Sequence, residues 1–327
     1  MKSPVGIDIS CLTLDYHFYN KNEHSEKGTI NNVTEDIHCF LNLHDSKKVF
    51  FVIEPTGTYS DKLLELAHAK GFEIRLADPK KSSRYMEVMG ILHKTDENAA
   101  IALTLMGRNK ELKLPRFNPQ TENMKQRKQI QMTLNAMTKQ CNMLSNQIHA
   151  MEQRLKPSQL ALDALKASLE ALQEQKQKLE KELQQLSDEE ITEFTKYATS
   201  VTGIGPKSAD LIMLFTNGLK YFDKKTQLSK FVGTVPSSHR SGTSINKKGK
   251  ITKSGPSILR ACLYNAAKSA KRFNYACKAL YERLRSNGKP HKVAMIAVIN
   301  KLLHQVFAVV KSKTQFDNEL YLKNNTK

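Results

Sequence analysis

The sequence predicts an α/β domain followed by a mostly helical remainder, with a long helical arm between them. Three observations carry this. Every apolar run of strand character falls before residue 80, where such runs interleave with helical stretches. Residues 121–190 contain no glycine and a single proline, Pro157, and are dominated by Gln, Lys, Glu, Leu and Met. From residue 196 onward the pattern is helical and strongly basic. The expected domains are 1–112, 113–192 and 193–327, in a chain of 327 residues that is long enough for two ordinary cores.

In chain order, "VGIDIS" (5–10) reads as a short apolar strand, and "LDYHFYN" (14–20) alternates like a strand paired with it. "KVFFVIE" (48–54) is a continuous apolar run, the pattern of a strand covered on both faces. "YSDKLLELAHAKG" (59–71) has helical periodicity and ends on a glycine stop. "FEIRLADP" (72–79) is another strand, and two helical stretches follow up to about Asn109. That order gives a mixed sheet flanked by helices.

The arm reads as two long helices broken at "LKPS" (155–158), because Pro157 disfavours helix at Lys156. In its second half, Leu162, Leu165, Leu169, Leu172, Leu179, Leu183 and Leu186 keep 3-4 spacing, with Lys176 interrupting. Such a seam needs a partner helix from the same chain or another. A plain spacer between domains is the simpler alternative to an antiparallel, self-associating coiled-coil arm.

The charge is uneven. Of 51 basic and 32 acidic side chains, residues 196–327 hold 25 and 5, a net +20, while residues 1–195 are at net −1. Charge kept for solubility would be spread more evenly, so the C-terminal part is expected to contact a polyanion. The five cysteines, Cys11, Cys39, Cys141, Cys262 and Cys277, form no metal-ligand spacing and read as reduced packing thiols. No leader opens the chain and no apolar run approaches the ~20 residues of a membrane span. The expected setting is cytoplasmic.

Three acids stand out. Asp8 interrupts the first strand's apolar run, where a carboxylate is costly unless compensated. Glu54 ends the buried strand before "PTGTY", and Asp96 opens the helix of "HKTDENAAIALTLMG". Carboxylates converging at one sheet end would bind a hard divalent cation such as Mg²⁺. Two such ions stabilise the attacking and leaving oxygens of a phosphoryl displacement. The plainer reading makes them a strand end, a turn and a helix cap. An acid on a central strand followed by hairpin strands favours the ribonuclease-H-like arrangement. A fourth acid would share a helix face with Asp96 at position 99, which is Ala99.

"VTGIGPKSADLIMLF" (201–215) fits a helix-hairpin-helix, with Gly203 and Gly205 in the turn and Pro206 at the next helix's first position. The N–H groups of such a turn, beside Lys207, would receive a DNA phosphate; a helix corner using glycines for geometry is the alternative. "FVGTVPSSHRSGTSINKKGKITKSGPSILRACLYNAA" (231–267) strings Arg240, Lys247, Lys248, Lys250 and Lys253 along a glycine-punctuated loop, then enters a helix carrying Arg260. Charge alone makes this a salt-sensitive phosphate-binding loop. A nucleophilic serine would also need cations at the scissile phosphate. Spacing does not separate Ser241 from Ser237, Ser238 or Ser244.

Together, "VGIDIS", "FVIEPTGTY", "HKTDENAAIAL", "VTGIGPKSA" and the long serine motif resemble the DEDD transposases of bacterial insertion sequences, of the Piv/MooV type in the insertion sequence 110 family. The resemblance covers nearly the whole chain. It implies a RuvC-like domain, a coiled-coil arm and a helical transposase domain. It also implies a recombinase that cuts and rejoins DNA through a serine, aided by a Mg²⁺-binding acidic site. A structured guide (bridge) RNA pairing with donor and target DNA, and dimers assembling to tetramers, are further implications. So is a bacterial, nucleoid-associated setting without a membrane. By this resemblance Asp8, Glu54 and Asp96 match the first three acids and Ser241 the nucleophile. Ala99 departs from the fourth, which is expected to weaken at least one ion; an introduced Asp-to-Ala change and natural decay are the two explanations. A Holliday-junction-type nuclease using the acids and water, or a non-enzymatic RNA/DNA-binding protein, are the rival functions.

Overall fold

The structure is a computed structural model that describes residues 2–91, 93, 95–237, 239–241, 245–247 and 249–325, without the side chains of 239–241, 245–247 and 323–325. It divides into two compact units, Met1–Pro119 and Gln120–Lys327.

The first unit is built on β1 (Ser3–Ile9), β2 (Thr13–Tyr19), β3 (Ser25–Asn31), β4 (Val49–Ile53) and β5 (Glu73–Leu76), with strand order β3-β2-β1-β4-β5. β1, β2 and β3 pair antiparallel, while β1, β4 and β5 run parallel. β1 is therefore central, as the apolar "VGIDI" requires. β4, whose Phe50 to Ile53 are all buried, is covered on both faces as expected. β3 was not anticipated: "SEKGTIN" has almost no apolar residue to betray it, since it is an edge strand exposed along most of its length. Helices α1 (Thr34–Asn42), α2 (Asp61–Ala69), α3 (Pro79–Val88) and α4 (Asp96–Arg108) complete the unit. β5 is shorter than the expected 72–79 because Asp78 caps α3 through the Lys80 and Lys81 N–H groups, and Pro79 takes the first helical position. A mixed α/β unit of this order agrees with the RuvC-like expectation.

The second unit begins with α5 (Glu122–Glu152) and α6 (Gln159–Gln185). They run antiparallel. Lys166 near the start of α6 pairs with Glu152 at the end of α5 (2.8 Å), and Asn123 at the start of α5 donates to the Ser187 carbonyl just past α6 (3.1 Å). Leu162 is buried and the remaining seam leucines are half-buried. Met124, Leu134, Cys141 and Ile148 are the buried apolar positions of α5.

Beyond the arm lie α7 (Glu189–Ser200), α8 (Pro206–Thr216), α9 (Lys225–Val232), α10 (Ser257–Phe273), α11 (Tyr275–Ser286), α12 (His291–Ser312) and α13 (Leu320–Asn325). α12 corrects the sequence reading. It is 22 residues long and apolar enough by length and composition to cross a bilayer. Its Ala294, Met295, Val298, Ile299, Leu302, Leu303 and Val306 are all at most 1% exposed and pack into the core with Leu259 and Leu263 of α10 and Leu211 to Leu214 of α8. It is the central helix of this core. All five cysteines are free, with Cys11 and Cys39 exposed. Burial pushes the Cys277 thiol up to about 12, which keeps it an inert packing group.

Candidate active site

β1 and β4 are parallel neighbours, so their C-terminal ends, carrying Asp8 and Glu54, lie side by side. What brings Asp96 to the same place is the closeness of α4 to the sheet. A Cβ on Gly6 would stand 2.2 Å from the Ala100 carbonyl oxygen, and one on Gly107 would stand 2.5 Å from Pro4 Cβ. At Gly6 no other residue allows backbone to approach backbone so nearly, while at Gly107 the space is taken by the Pro4 and Val52 side chains. The contact is fixed by a polar network: the Gly6 N–H donates to Thr104 Oγ1 (3.0 Å), and that hydroxyl lies 2.7 Å from the His17 carbonyl oxygen and 3.0 Å from His17 Nδ1.

The result is a cleft of about 190 Å³ lined by Asp8, Glu54, Asp96 and Ala99, with Ser82 and Met86 of α3 closing one side. Position 99 faces the same cleft as Asp96, as helical spacing requires, but it presents a buried methyl group. Glu97 is drawn away to Lys27 of β3 (2.6 Å), and Asn98 donates to the His93 carbonyl (2.8 Å). Ser82 had no sequence signal, being one serine on a polar helix. Its hydroxyl donates to Glu54 Oε2 and contacts the Pro79 carbonyl (3.1 Å).

The donors are all hard carboxylate oxygens, the set that suits a divalent cation without specifying Mg²⁺. Among the described residues, however, no three carboxylate, imidazole or thiol groups gather closely enough to hold one ion. The three acids expected at a Mg²⁺ site line one cleft. Ser82 holds Glu54, and Ala99 supplies no fourth oxygen.

In the second unit, α7 and α8 are joined by a tight turn over Val201–Gly205. Gly203 has φ +106°, and a Cβ there would stand 2.6 Å from Ala270 Cβ, so this glycine serves both turn and packing. Gly205 caps α8 in open space, and Lys207 is exposed one residue into the helix.

The expected serine loop is a β-ribbon. Pro236 bridges Ile251, Ser237 N–H donates to the Lys250 carbonyl (2.8 Å), and β6 (His239–Ser241) pairs antiparallel with β7 (Ile245–Lys247). Ser241 faces Ile245 in the last pair, at the ribbon's tip. Residues 242–244 and Lys248 lie outside the described residues, as do the side chains of Arg240, Ser241 and Lys247. Lys250 and Lys253 are exposed on the segment that follows β7. The ribbon's base is tightly held. A Cβ on Gly255 would stand 1.9 Å from the Phe231 carbonyl oxygen, so this glycine permits a close approach instead of loosening the chain. Arg260 spends its guanidinium on the Val232 (3.1 Å) and Gly255 carbonyls, and Thr234 donates to Asn300 of α12 (2.6 Å).

Comparison with known proteins follows this division. Residues 5–157, which include the three acids, match a DEDD family of the IS110 type described as "Transposase". Residues 195–282, which include the turn and the ribbon, match "Transposase IS116/IS110/IS902 family". The chain is 25% identical to the pilin gene-inverting protein of Moraxella bovis over 98% of its own length and 99% of that protein. The Moraxella lacunata protein of the same name gives the same figures. An insertion element IS110 protein of Streptomyces coelicolor is 23% identical over 37% of this chain and 30% of its own length.

Proposed function

We infer that the chain is an IS110-family DEDD transposase, a DNA-recombining enzyme, and from that premise we propose that it exchanges DNA strands through Ser241. The observation that carries the reading is the pairing, in one chain, of an acid-lined cleft at a sheet end with a serine at the tip of a basic ribbon. In this scheme the Ser241 hydroxyl attacks a backbone phosphorus. One phosphoester to serine forms as one strand bond breaks, leaving a free strand hydroxyl. The hydroxyl of the incoming strand then displaces the serine, so the number of phosphoesters is conserved and no external energy is needed.

Asp8, Glu54 and Asp96 would hold the divalent cation, Mg²⁺ by the family resemblance. When bound, that ion neutralises charge at the reacting phosphate. Arg240, Lys247, Lys248, Lys250 and Lys253 bind the strand's phosphates, and the α7–α8 turn, as a helix-hairpin-helix with Gly203, Gly205 and Lys207, receives another. Arg260 acts on the ribbon's base through the carbonyls it holds. Donor and target DNA are the substrates. A structured guide RNA and a dimer assembling to a tetramer through the arm are parts of the same proposal, as are the domain limits 1–112, 113–192 and 193–327 and a nucleoid-associated setting. The pilin gene-inverting relatives favour site-specific strand exchange over simple hydrolysis.

The test is capture of a covalent protein–DNA adduct on a nicked recombination substrate, supplied with the RNA that co-purifies with the protein. The adduct is expected with the Ala99→Asp variant, and to be lost in Ala99→Asp/Ser241→Ala. Cleavage without an adduct, unaffected by Ser241→Ala, would instead establish the metal-dependent nuclease. Ala99→Asp is expected to exchange strands faster than the unaltered chain, and equal rates would show that the fourth acid is dispensable.

A further inference from the structure

The first unit carries a second concavity, at the opposite end of its strands from the acidic cleft. It lies where β1, β4 and β5 begin, where β2 ends and where α4 ends, and it measures about 860 Å³. β1 is seven residues long, so at ~3.3 Å per residue the two concavities are about 20 Å apart.

Its charge is not that of the surrounding unit. Residues 1–119 hold sixteen basic and sixteen acidic side chains. This cleft takes five of the basic ones, Lys2, Lys21, Arg75, Arg108 and Lys110, against only Glu23 and Glu73. The two carboxylates are spent on holding the arginines. Glu73 pairs with Arg75 (2.8 Å), and Glu23 with Arg108 (2.7 Å). Each guanidinium is also laid on an aromatic ring, Arg75 over Phe50 at 4.0 Å and Arg108 over Tyr19 at 4.7 Å. Both guanidinium groups are thus held against a ring before any ligand arrives. Lys2, Lys21 and Lys110 form no ion pair among the described residues.

Fixed planar guanidinium groups are stacking surfaces for unpaired bases, and unpaired lysines around them are point contacts for phosphates. A duplex, whose bases are already stacked, could use only the lysines. We propose that this rear cleft binds a short single-stranded stretch of nucleic acid, two or three nucleotides long, with bases on the Arg75 and Arg108 planes and phosphates on Lys2, Lys21 and Lys110. The site does not depend on the strand-exchange chemistry, since it shares no residue with it.

The experiment uses the full-length chain and three labelled probes: a twelve-nucleotide oligouridylate, the matching oligothymidylate, and a twelve-base-pair duplex. Iodinated pyrimidines allow photo-crosslinking and peptide mapping. Crosslinks from the single strands to the peptide bearing Tyr19 are expected, in addition to any within 196–327. Lys2→Glu/Lys21→Glu/Lys110→Glu should abolish the Tyr19 crosslink and leave the C-terminal ones. It should also flatten the log K against log[salt] plot for single strands by about 2, as three phosphate contacts require. The milder Lys→Gln triple, which guards against misfolding of the first, should shift both readouts in the same direction. Crosslinking by oligouridylate alone, or by both single strands, supports the site and tells whether the 2′-hydroxyl is read. Crosslinking by the duplex alone, no crosslink at Tyr19, or an unchanged salt slope in both triples overturns it. The Tyr19 crosslink is read without strand exchange and the adduct without the rear cleft, so failure here and failure of the strand-exchange reading are separate results.

Discussion

His17 is 1% exposed, yet its imidazole is hydrogen-bonded at both nitrogens, to Thr104 Oγ1 and to Ser25 Oγ (2.9 Å). A neutral ring can donate from one nitrogen and accept at the other, which matches two hydroxyl partners. Burial lowers its pKa, and Lys27 lowers it further against the opposing pull of Glu97. His44 and His304 are lowered too, each chiefly by burial. The unfolded chain takes up these protons near pH 6.5, before the folded one does. Stability from the neutral rings is therefore complete above about pH 6.5 and is lost as pH falls toward the lower folded values. Thermal melting at pH 8 and at pH 5.5 should show a clear drop in Tm at the lower pH. An unchanged Tm would mean that the rings are protonated in place. Asp8, Glu54 and Asp96 were readable as acids because each sits at a junction of apolar strand and turn or at a helix start. Ser82 and Thr104 were not readable, because their roles are set by residues 28 to 98 positions away.

Among the elements, the most consequential joint is at the arm's base. Arg127 of α5 binds Asp210 of α8 at 2.6 Å, with side chains only 13% and 7% exposed, and Gln131 takes the second carboxylate oxygen at 2.9 Å. The same guanidinium reaches the Leu183 carbonyl (2.7 Å) and that of Leu186, so one side chain ties α5, α6 and α8. Breaking a buried pair on one side leaves an uncompensated charge. Arg127→Met should cost about 3–5 kcal/mol in chemical denaturation. Adding Asp210→Leu should recover part of that loss, since the stranded carboxylate is then gone, though the α6 carbonyls stay unmet. A double variant no more stable than the single one would show that Asp210 is not the partner that matters. The leucines of α6 were legible as a seam because they repeat. The facing stripe of α5 was not, since Met124, Gln131 and Cys141 do not look like one and Gln131 spends its amide on Asp210. The ribbon around Ser241 read as a loop for a similar reason. Apart from Ile245 its short strands are polar in sequence, and only pairing with one another distinguishes them from coil.

On the scale of the whole molecule, the charge asymmetry sets how the protein meets DNA. Residues 196–327 carry a net +20, whereas residues 1–119 balance, so duplex binding is expected of the second unit and should be dominated by phosphate contacts. With six or more phosphates neutralised, affinity for non-specific duplex should fall about a thousandfold or more between 50 and 200 mM salt. A titration that stays nearly flat over that range would mean the positive charge is held for something other than a nucleic-acid backbone. The glycine contacts of the first unit have a consequence for how such a chain can drift in sequence. Most architectures set the spacing of their catalytic groups through layers of interlocking side chains, so each exchange in the core nudges the chemistry. Here the separation between the helix bearing Asp96 and the strand bearing Asp8 is a main-chain distance, fixed where Gly6 meets the Ala100 carbonyl. Volume-conserving exchanges among leucines, isoleucines and methionines elsewhere in this core are therefore expected to leave the acids in place, and Gly6 is the gauge that must stay.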